Sequence, residues 1–440
     1  MSSSTNRQPA ALYLIAAAGA GERFAYYGMR AILMLYMIAG VTGQLAGMNF
    51  SQHSAGIAYG VFNALCYGLP FFGGLLADRV IGSRKSVSIG GIFSILGFIV
   101  LSLDNAMLPF VGGLTLIAIG NGFFKPTVVS MIGALYEQGD PRRDGAFTLY
   151  YQLFNVGAFI APLLCGFVAT QWGYLAGFLV AAGAVSLSMI IYWIYAPKYL
   201  KEIGKLKKVD KTNSDEVHAV KEKLTKEEKD RLSVIFVLLF FVTFFWTGFE
   251  QAGSSMTVFT EQNIDKTIGG WAVPTAWFQG INPFFVFVLG FAVSALWLKL
   301  HKMGKNPSIP VKMGLGMIFL GLGFIVMLGA VSQYNHTGAQ ASMMWIVAAY
   351  FLQTIGELML SPIGLSMITK LAPQRMVSMF MGVWFLPSFL AHLMGGFIAG
   401  YSQDLGYGLT FGCIAAFVMV LGLGVIFLKG TLVRLMHGRG

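Results

Sequence analysis

The stretch Glu22-Arg23-Phe24-Ala25-Tyr26-Tyr27-Gly28-Met29-Arg30 lies in the middle of an otherwise apolar segment running from about Tyr13 to Ile38. A segment of that length crosses a bilayer, and a charge at its centre costs at least ~3 kcal/mol even on lenient insertion scales. Here there are three charges in nine residues. On a helix, Arg23, Tyr27 and Arg30 fall at i, i+4 and i+7 and share one face, with Glu22 and Tyr26 on the adjoining stripe. Such a face cannot meet lipid. It looks into a protein interior or a watery cavity, and other parts of the chain must answer it.

The surrounding sequence is equally apolar. Of 440 residues, 56% are hydrophobic and 11% charged, which excludes a water-soluble globule and indicates a polytopic, all-α membrane protein. The 55 glycines suit close helix packing in lipid. Cys66, Cys165 and Cys413 sit in apolar spans without metal-ligand spacing, so they read as small buried residues and neither a metal nor a cofactor is expected. The short polar N-terminus leads straight into a full-length span, so no cleavable signal peptide is expected. A net charge of +11 suggests nucleic acid until its distribution is considered. Lys and Arg gather in alternate loops: Arg79, Arg84 and Lys85; Arg142 and Arg143; 197–232; Lys302 and Lys305; Lys370 and Arg375; and Lys429, Arg434 and Arg439. The opposite loops hold none, apart from Lys266. This is a topology signal placing both termini in the cytoplasm, with the lipid bilayer and not nucleic acid as partner.

Hydropathy gives twelve spans, near 11–39, 54–77, 86–103, 108–135, 147–169, 173–196, 233–260, 271–300, 309–331, 341–368, 376–402 and 408–429. The expected organisation is a six-helix bundle at 11–196, a cytoplasmic charged linker at 197–232 and a second six-helix bundle at 233–430. The linker holds 11 Lys/Arg and 8 Asp/Glu, too many charges to cross a membrane. In it, Thr225 with Glu228 forms a capping-box pattern that predicts a helix leading into span seven.

Two six-helix halves resemble a transporter of the major facilitator superfamily. So does the loop Gly73-Gly-Leu-Leu-Ala-Asp78-Arg79-Val-Ile-Gly82-Ser-Arg84-Lys85, which is similar to the superfamily's G-x-L-a-D-r-x-G-r-k pattern. Six charged residues lie deep in the spans: Glu22, Arg23 and Arg30 in the first, Lys125 in the fourth, Glu250 in the seventh and Glu357 in the tenth. They sum to zero, as a cavity requires when each unpaired ion would be penalised. Spans one, four, seven and ten are those that line the central cavity in the superfamily.

A narrower resemblance follows from ordered motifs. Gly19-Ala-Gly-Glu22-Arg23-Phe24-Ala25-Tyr26-Tyr27-Gly28 resembles the ExxERFxYYG signature of the proton-dependent oligopeptide transporter (POT) family. Gly120-Asn-Gly-Phe-Phe-Lys125-Pro126 resembles G-x-G-x-x-K-P, and Phe147-Thr-Leu-Tyr150-Tyr151-Gln-Leu-Phe-Asn155-Val-Gly157 resembles FxxFYxxINxG. Phe245-Trp246-Thr-Gly-Phe249-Glu250-Gln251 is similar to FWxxFEQ, Trp277-Phe-Gln279-Gly-Ile-Asn282-Pro283 to WFQSxNP, and Gly356-Glu357-Leu-Met-Leu-Ser361-Pro362-Ile-Gly364 to GELxxSPxG.

The resemblance implies a proton-coupled importer of di- and tripeptides in the cytoplasmic (inner) membrane, working as a monomer by alternating access and driven by the proton gradient. It implies that Arg23 and Lys125 meet the peptide carboxylate near Tyr26 and Tyr27. Asn155, Asn282 and Glu357 would hold the amino end and backbone, with Ser361 on the Glu357 face. Tyr67, Trp246, Trp384 and Phe385 would shape side-chain pockets, and Arg30 would pair with Glu250 in a gate. Glu22 and Lys125 would join that pair in proton coupling. The chemistry of these residue types agrees. A dipeptide zwitterion needs fixed cations at one end and a fixed anion at the other, Asn both donates to and accepts from an amide, and aromatic walls tolerate varied side chains. Gln353, Glu357 and Ser361 recur at i, i+4 and i+8 on one helix face.

Three departures stand out. Gly19 replaces the first Glu of the signature, so Glu22 is the only carboxylate of span one. The chain carries only the charged linker where many bacterial members insert two helices. His392 is the one deep histidine, and reads as a polar helix-contact residue. The alternatives are a same-fold transporter of nitrate, an organic anion or another metabolite, of which Glu357 disfavours a simple anion, and a non-cycling peptide-binding receptor. An intramembrane enzyme lacks any nucleophile–base or metal constellation.

Overall fold

The computed structural model describes residues 8–137, 140, 142–206, 224–373 and 376–438. The 207–223 part of the linker, and Arg375 and Arg439 among the loop charges, lie outside the described residues. The chain is nearly all helical: α1 (Ala10–Ile38), α2 (Gln52–Leu76), α3 (Ser83–Leu101), α4 (Met107–Gly133), α5 (Arg142–Trp172), α6 (Tyr174–Leu200), α7 (Lys226–Phe249), α8 (Ser255–Asn263), α9 (Ile281–Lys302), α10 (Ile309–Thr337), α11 (Met344–Leu371), α12 (Val377–Val383), α13 (Leu386–Tyr401), α14 (Tyr407–Phe427) and α15 (Lys429–Leu435). Among the described residues, eleven helical stretches are long and apolar enough to cross a bilayer. With α1, whose 29 residues carry the three central charges, they make the twelve spans.

Several spans are interrupted where hydropathy reads them as continuous. Span seven is α7, a 3-10 turn at Glu250–Gly253, and α8. Span eight does not begin helically at 271. Trp271–Ala272 pairs as a strand with Thr267–Ile268, and a 3-10 turn, Thr275–Gly280, precedes α9. Span eleven breaks at Trp384 and Phe385, between α12 and α13. A window average cannot register a break that leaves composition unchanged. The stretch around Asp78 is not a loop: Ala77–Ile81 continues α2 as a π turn, which Gly82 ends at φ +82°.

The described residues fall into two compact units, one within 8–51, 65–206 and 274–283, the other within 52–64, 224–273 and 284–438. In the first, α1 packs on α5 and α6, and α3 on α4. Small residues set the α3–α4 distance. A β-carbon on Gly97 would lie 2.8 Å from the Gly113 carbonyl oxygen and 2.7 Å from the Ile117 nitrogen. In lipid, where apolar burial gives no drive to associate, such close backbone approach supplies the dispersion contact. Gly82 is required twice, by its positive φ and by the turn it faces. A β-carbon there would stand 2.8 Å from the Leu206 nitrogen, and Arg84 N–H donates to the Gly204 carbonyl at 2.8 Å. The turn Thr275–Gly280 docks on α5, Trp277 Nε1 donating to the Leu163 carbonyl at 2.9 Å.

In the second unit, α10 packs on α11 and α14, and α13 on α7. The first turn of α2 joins it through Gln52, whose amide donates to Ser402 Oγ at 2.7 Å and whose Oε1 accepts from Tyr407 at 3.0 Å. The expected capping box is present. Thr225 Oγ1 accepts from Glu228 N–H at 3.2 Å, and the Glu228 carboxylate accepts from Thr225 N–H at 3.0 Å. Ile264–Asp265 pairs in parallel with Ala341–Ser342.

Replacing Gly97 by Leu is expected to destabilise the fold by about 1–3 kcal/mol through overpacking. Gly183→Ala, at a position with open space around the added carbon, is the control. Thermal melting in detergent checks this, and equal melting of the two variants would contradict the packing argument.

Candidate functional site

In the first unit, α1 buries the charged face that its sequence announces. Glu22, Arg23, Tyr26 and Arg30 are between 1% and 8% exposed. Arg23 Nε lies 3.1 Å from Glu22 Oε2, so two neighbours in sequence form an ion pair across the helix surface. The Arg23 guanidinium also sits 5.7 Å from the ring centroids of Tyr26 and Phe154. Tyr27 packs edge-on against both Tyr26 and Phe154. From α4, Lys125 places its ammonium 3.5 Å from the centroid of Tyr67 on α2, a desolvated cation–π contact. The structure thus gathers Glu22, Arg23, Tyr26, Tyr27, Tyr67 and Lys125 within one unit. Asn155, half-buried on α5, donates to the Tyr151 carbonyl of its own helix at 2.8 Å. Asn282 belongs to the same unit.

Two residues to which the resemblance assigns no role complete this picture. The Tyr150 ring edge leans on Gly19, where an added β-carbon would meet it at 2.8 Å, so an aromatic ring fills the space beside the position that the signature gives to Glu. Asn121, one turn before Lys125 on α4, is 1% exposed, and neither amide atom has a hydrogen-bond partner among the described residues. A buried amide with no protein partner at either end is rare. Its sequence signal is present but weak: an Asn one helical turn from an intramembrane Lys.

The second unit carries Glu250 and Glu357. Glu250 opens the 3-10 turn after α7 and is 9% exposed. Its neighbour Gln251, fully buried, holds the break together. The Gln251 amide donates to the carbonyls of Thr247 at 3.2 Å and Gly395 at 3.1 Å, and its Oε1 accepts from Ser255 Oγ at 2.6 Å. That accounts for Gln in the FEQ pattern. Three residues before Gly395 on α13, His392 reaches Glu250, Nε2 to Oε1 3.8 Å, with 2% of its surface exposed. Sequence alone treats His392 as helix-contact filler; the fold sets it beside a carboxylate. Arg30 belongs to the first unit and Glu250 to the second.

Along α11, Gln353, Glu357 and Ser361 do share a face. Gln353 Oε1 and Ser361 Oγ are buried without hydrogen-bond partners among the described residues, so this stripe, like Asn121, has unused polar capacity. Gly356 brings α11 against α10, since a β-carbon there would meet the Leu320 nitrogen at 3.2 Å. Gly364 admits the Trp384 indole, which a β-carbon would strike. Trp246 packs edge-on to Phe249 at 5.3 Å, and Phe385 is 44% exposed. Among the described residues no group of three His, Cys, Asp or Glu is placed to hold a metal ion.

Three kinds of similarity bear on this arrangement. The profile PTR2, described as the POT family, matches residues 84–214 and 197–405. The transporter YclF of Bacillus subtilis is 32% identical over 462 aligned positions, covering 95% of this chain and 93% of the relative. The peptide transporter YePEPT of Yersinia enterocolitica subsp. palearctica is 33% identical, covering 86% and 85%. Among solved structures, a mutant of a peptide transporter POT in complex with alafosfalin superposes with a TM-score of 0.90 at 30% identity, covering 98% of this chain and 96% of that one.

Gln251→Leu removes three hydrogen bonds at a buried helix break and leaves the Ser255 hydroxyl without its acceptor. A loss of about 1–3 kcal/mol is expected. Thermal melting measures it, and an unchanged midpoint would remove Gln251 from this role.

Proposed function

Because the chain belongs to the POT family, we propose that it is a proton-coupled symporter that imports di- and tripeptides across the cytoplasmic (inner) membrane by alternating access. The observation that carries this reading is the burial, inside membrane spans, of Glu22, Arg23 and Arg30 on α1. Charges retained at such cost mark a translocation path and not a packing convenience. Relatives named as peptide transporters support the choice of substrate.

In this reading the six-helix halves 11–196 and 233–430 rock about a midplane site, joined by the linker 197–232, with both termini cytoplasmic and a single chain as the functional unit. Arg23 and Lys125 receive the peptide carboxylate, Arg offering a planar fork and Lys a point charge. Tyr26 and Tyr27 frame that end. Glu357 takes the amino group, Asn155 and Asn282 the backbone, and Ser361 has an open hydroxyl on the same stripe. Tyr67, Trp246, Trp384 and Phe385 give area without a fixed hydrogen-bond pattern, which suits varied side chains. Glu250 pairs with Arg30 to close a gate and opens it on protonation. Glu22, in competition with the substrate carboxylate for Arg23 and Lys125, links peptide arrival to proton movement. With no carboxylate at Gly19, α1 contributes one acidic group to coupling.

In proteoliposomes, an imposed proton gradient is expected to drive accumulation of labelled dialanine, with nitrate and free amino acids excluded. Uptake of nitrate in its place would favour the anion reading, and pH-independent peptide binding without uptake the receptor reading. Glu250→Gln is expected to abolish concentrative uptake while exchange of peptide across the membrane persists. If the variant still concentrates dialanine, Glu250 is not the coupling carboxylate.

His392→Gln tests the neighbour of Glu250. It is expected to shift the pH profile of driven uptake and to leave peptide exchange at fixed pH near that of the parent protein. An unchanged profile would reduce His392 to a packing role.

A further inference from the structure

A second, basic pocket lies in the unit that holds Glu250 and Glu357, around the start of α10. Lys312, in the first turn of that helix, is 8% exposed. Its ammonium stands 4.6 Å from the centroid of the Trp297 ring, near the end of α9. Among the described residues it has neither a carboxylate nor a hydrogen-bond acceptor. Trp297 Nε1 is likewise buried without a partner there. A largely buried side chain that ends in an ammonium without an anion beside it is electrostatically unsatisfied. The surrounding geometry supplies room for one.

Lys312 lines a cavity of about 340 Å³ with Asn306, Ser308, Ser366, Lys370 and Val433. Among the described residues no Asp or Glu lines it. Two lysines, two hydroxyls and an amide therefore face a space without acidic counterparts. The N-terminus of α10 opens into the same place. Ser308 is its N-cap and makes no side-chain capping bond, so the first-turn N–H groups of Ile309 and Val311 have no intrahelical acceptor. The positive end of the helix dipole adds to the two ammonium groups. Lys299, His301 and Lys302 in the last turn of α9, and Lys305 in the loop that follows, extend the basic field.

We propose that this pocket binds a phosphate-type oxyanion, with Lys312 and Lys370 as its charge partners and Ser308, Ser366 and the α10 N-terminus as hydrogen-bond donors. A tetrahedral oxyanion accepts from several directions at once, and the donors here come from several elements. Two sources present that chemistry at a membrane rim: the headgroup of an anionic phospholipid and free phosphate. The far side of the pocket touches Pro362 and Ile363 on α11, next to Ser361, so an occupant braces the helix that also carries Glu357.

The test uses the full chain with Lys312→Gln and Lys370→Gln, read by thermal melting in two arms. In detergent, inorganic phosphate is titrated against chloride at matched ionic strength. In nanodiscs, phosphatidylcholine alone is compared with phosphatidylcholine containing phosphatidylglycerol. Saturable stabilisation by phosphate, with half-saturation weakened roughly tenfold or more in Lys312→Gln, supports a free-phosphate site. Stabilisation by phosphatidylglycerol alone, lost in the same variant, supports a headgroup site. Should Lys312→Gln fail to fold, Lys370→Gln combined with Ser366→Ala, both on exposed positions, carries the same comparison. Stabilisation by neither probe, or equal stabilisation of parent and variants, overturns the proposal.

Discussion

An ion pair between adjacent residues of one membrane helix, Glu22 with Arg23, is the constraint from which the first unit is built. Neither charge can be left alone, because removing one partner of a buried pair strands the other at a cost of about 3–5 kcal/mol. The rest of α1 is arranged so that the pair meets protein and not lipid. α5 brings Phe154 under the guanidinium and Tyr150 against Gly19, α2 brings Tyr67, and α4 brings Lys125 to lie on that ring. Small residues make this enclosure close. The alternative to tight helix contact is a lipid chain beside an ion.

The second unit solves a different problem. A carboxylate at a helix break exposes backbone groups that the bilayer cannot satisfy. Gln251 answers by bridging Thr247, Gly395 and Ser255, so that the discontinuity is itself a hydrogen-bonded structure. The break at Trp384 and Phe385 is handled by packing, the indole resting where Gly364 leaves room. Broken spans of this kind place polar groups at mid-membrane in transporters generally. Here the breaks at Glu250 and at Trp384–Phe385 coincide with residues assigned to the proposed site.

Much of this was legible in the sequence, because lipid imposes simple rules. Spans follow from apolar length, the charged face of α1 from helical spacing, and the α7 N-terminus from Thr225 and Glu228. The breaks at Glu250 and Trp384 were not legible, since hydropathy is blind to a turn made of the same residues as a helix. Nor was the π turn at Asp78, where helical hydrogen bonding merely changes register. His392 and Lys312 escaped for a shared reason: their importance lies in neighbours distant in the chain, Glu250 for one and a cavity for the other. Asn121 sat inside a recognised motif at a position the motif leaves open.

The hydrogen bond from Arg84 to Gly204 has a consequence for how the chain tolerates change. It ties the turn after α6 to the start of α3, and the capping box fixes the start of α7 at Thr225. Deletion that reached Gly204 or Thr225 would unfasten a helix. Both contacts are therefore places where a change in the chain costs an ordered helix end.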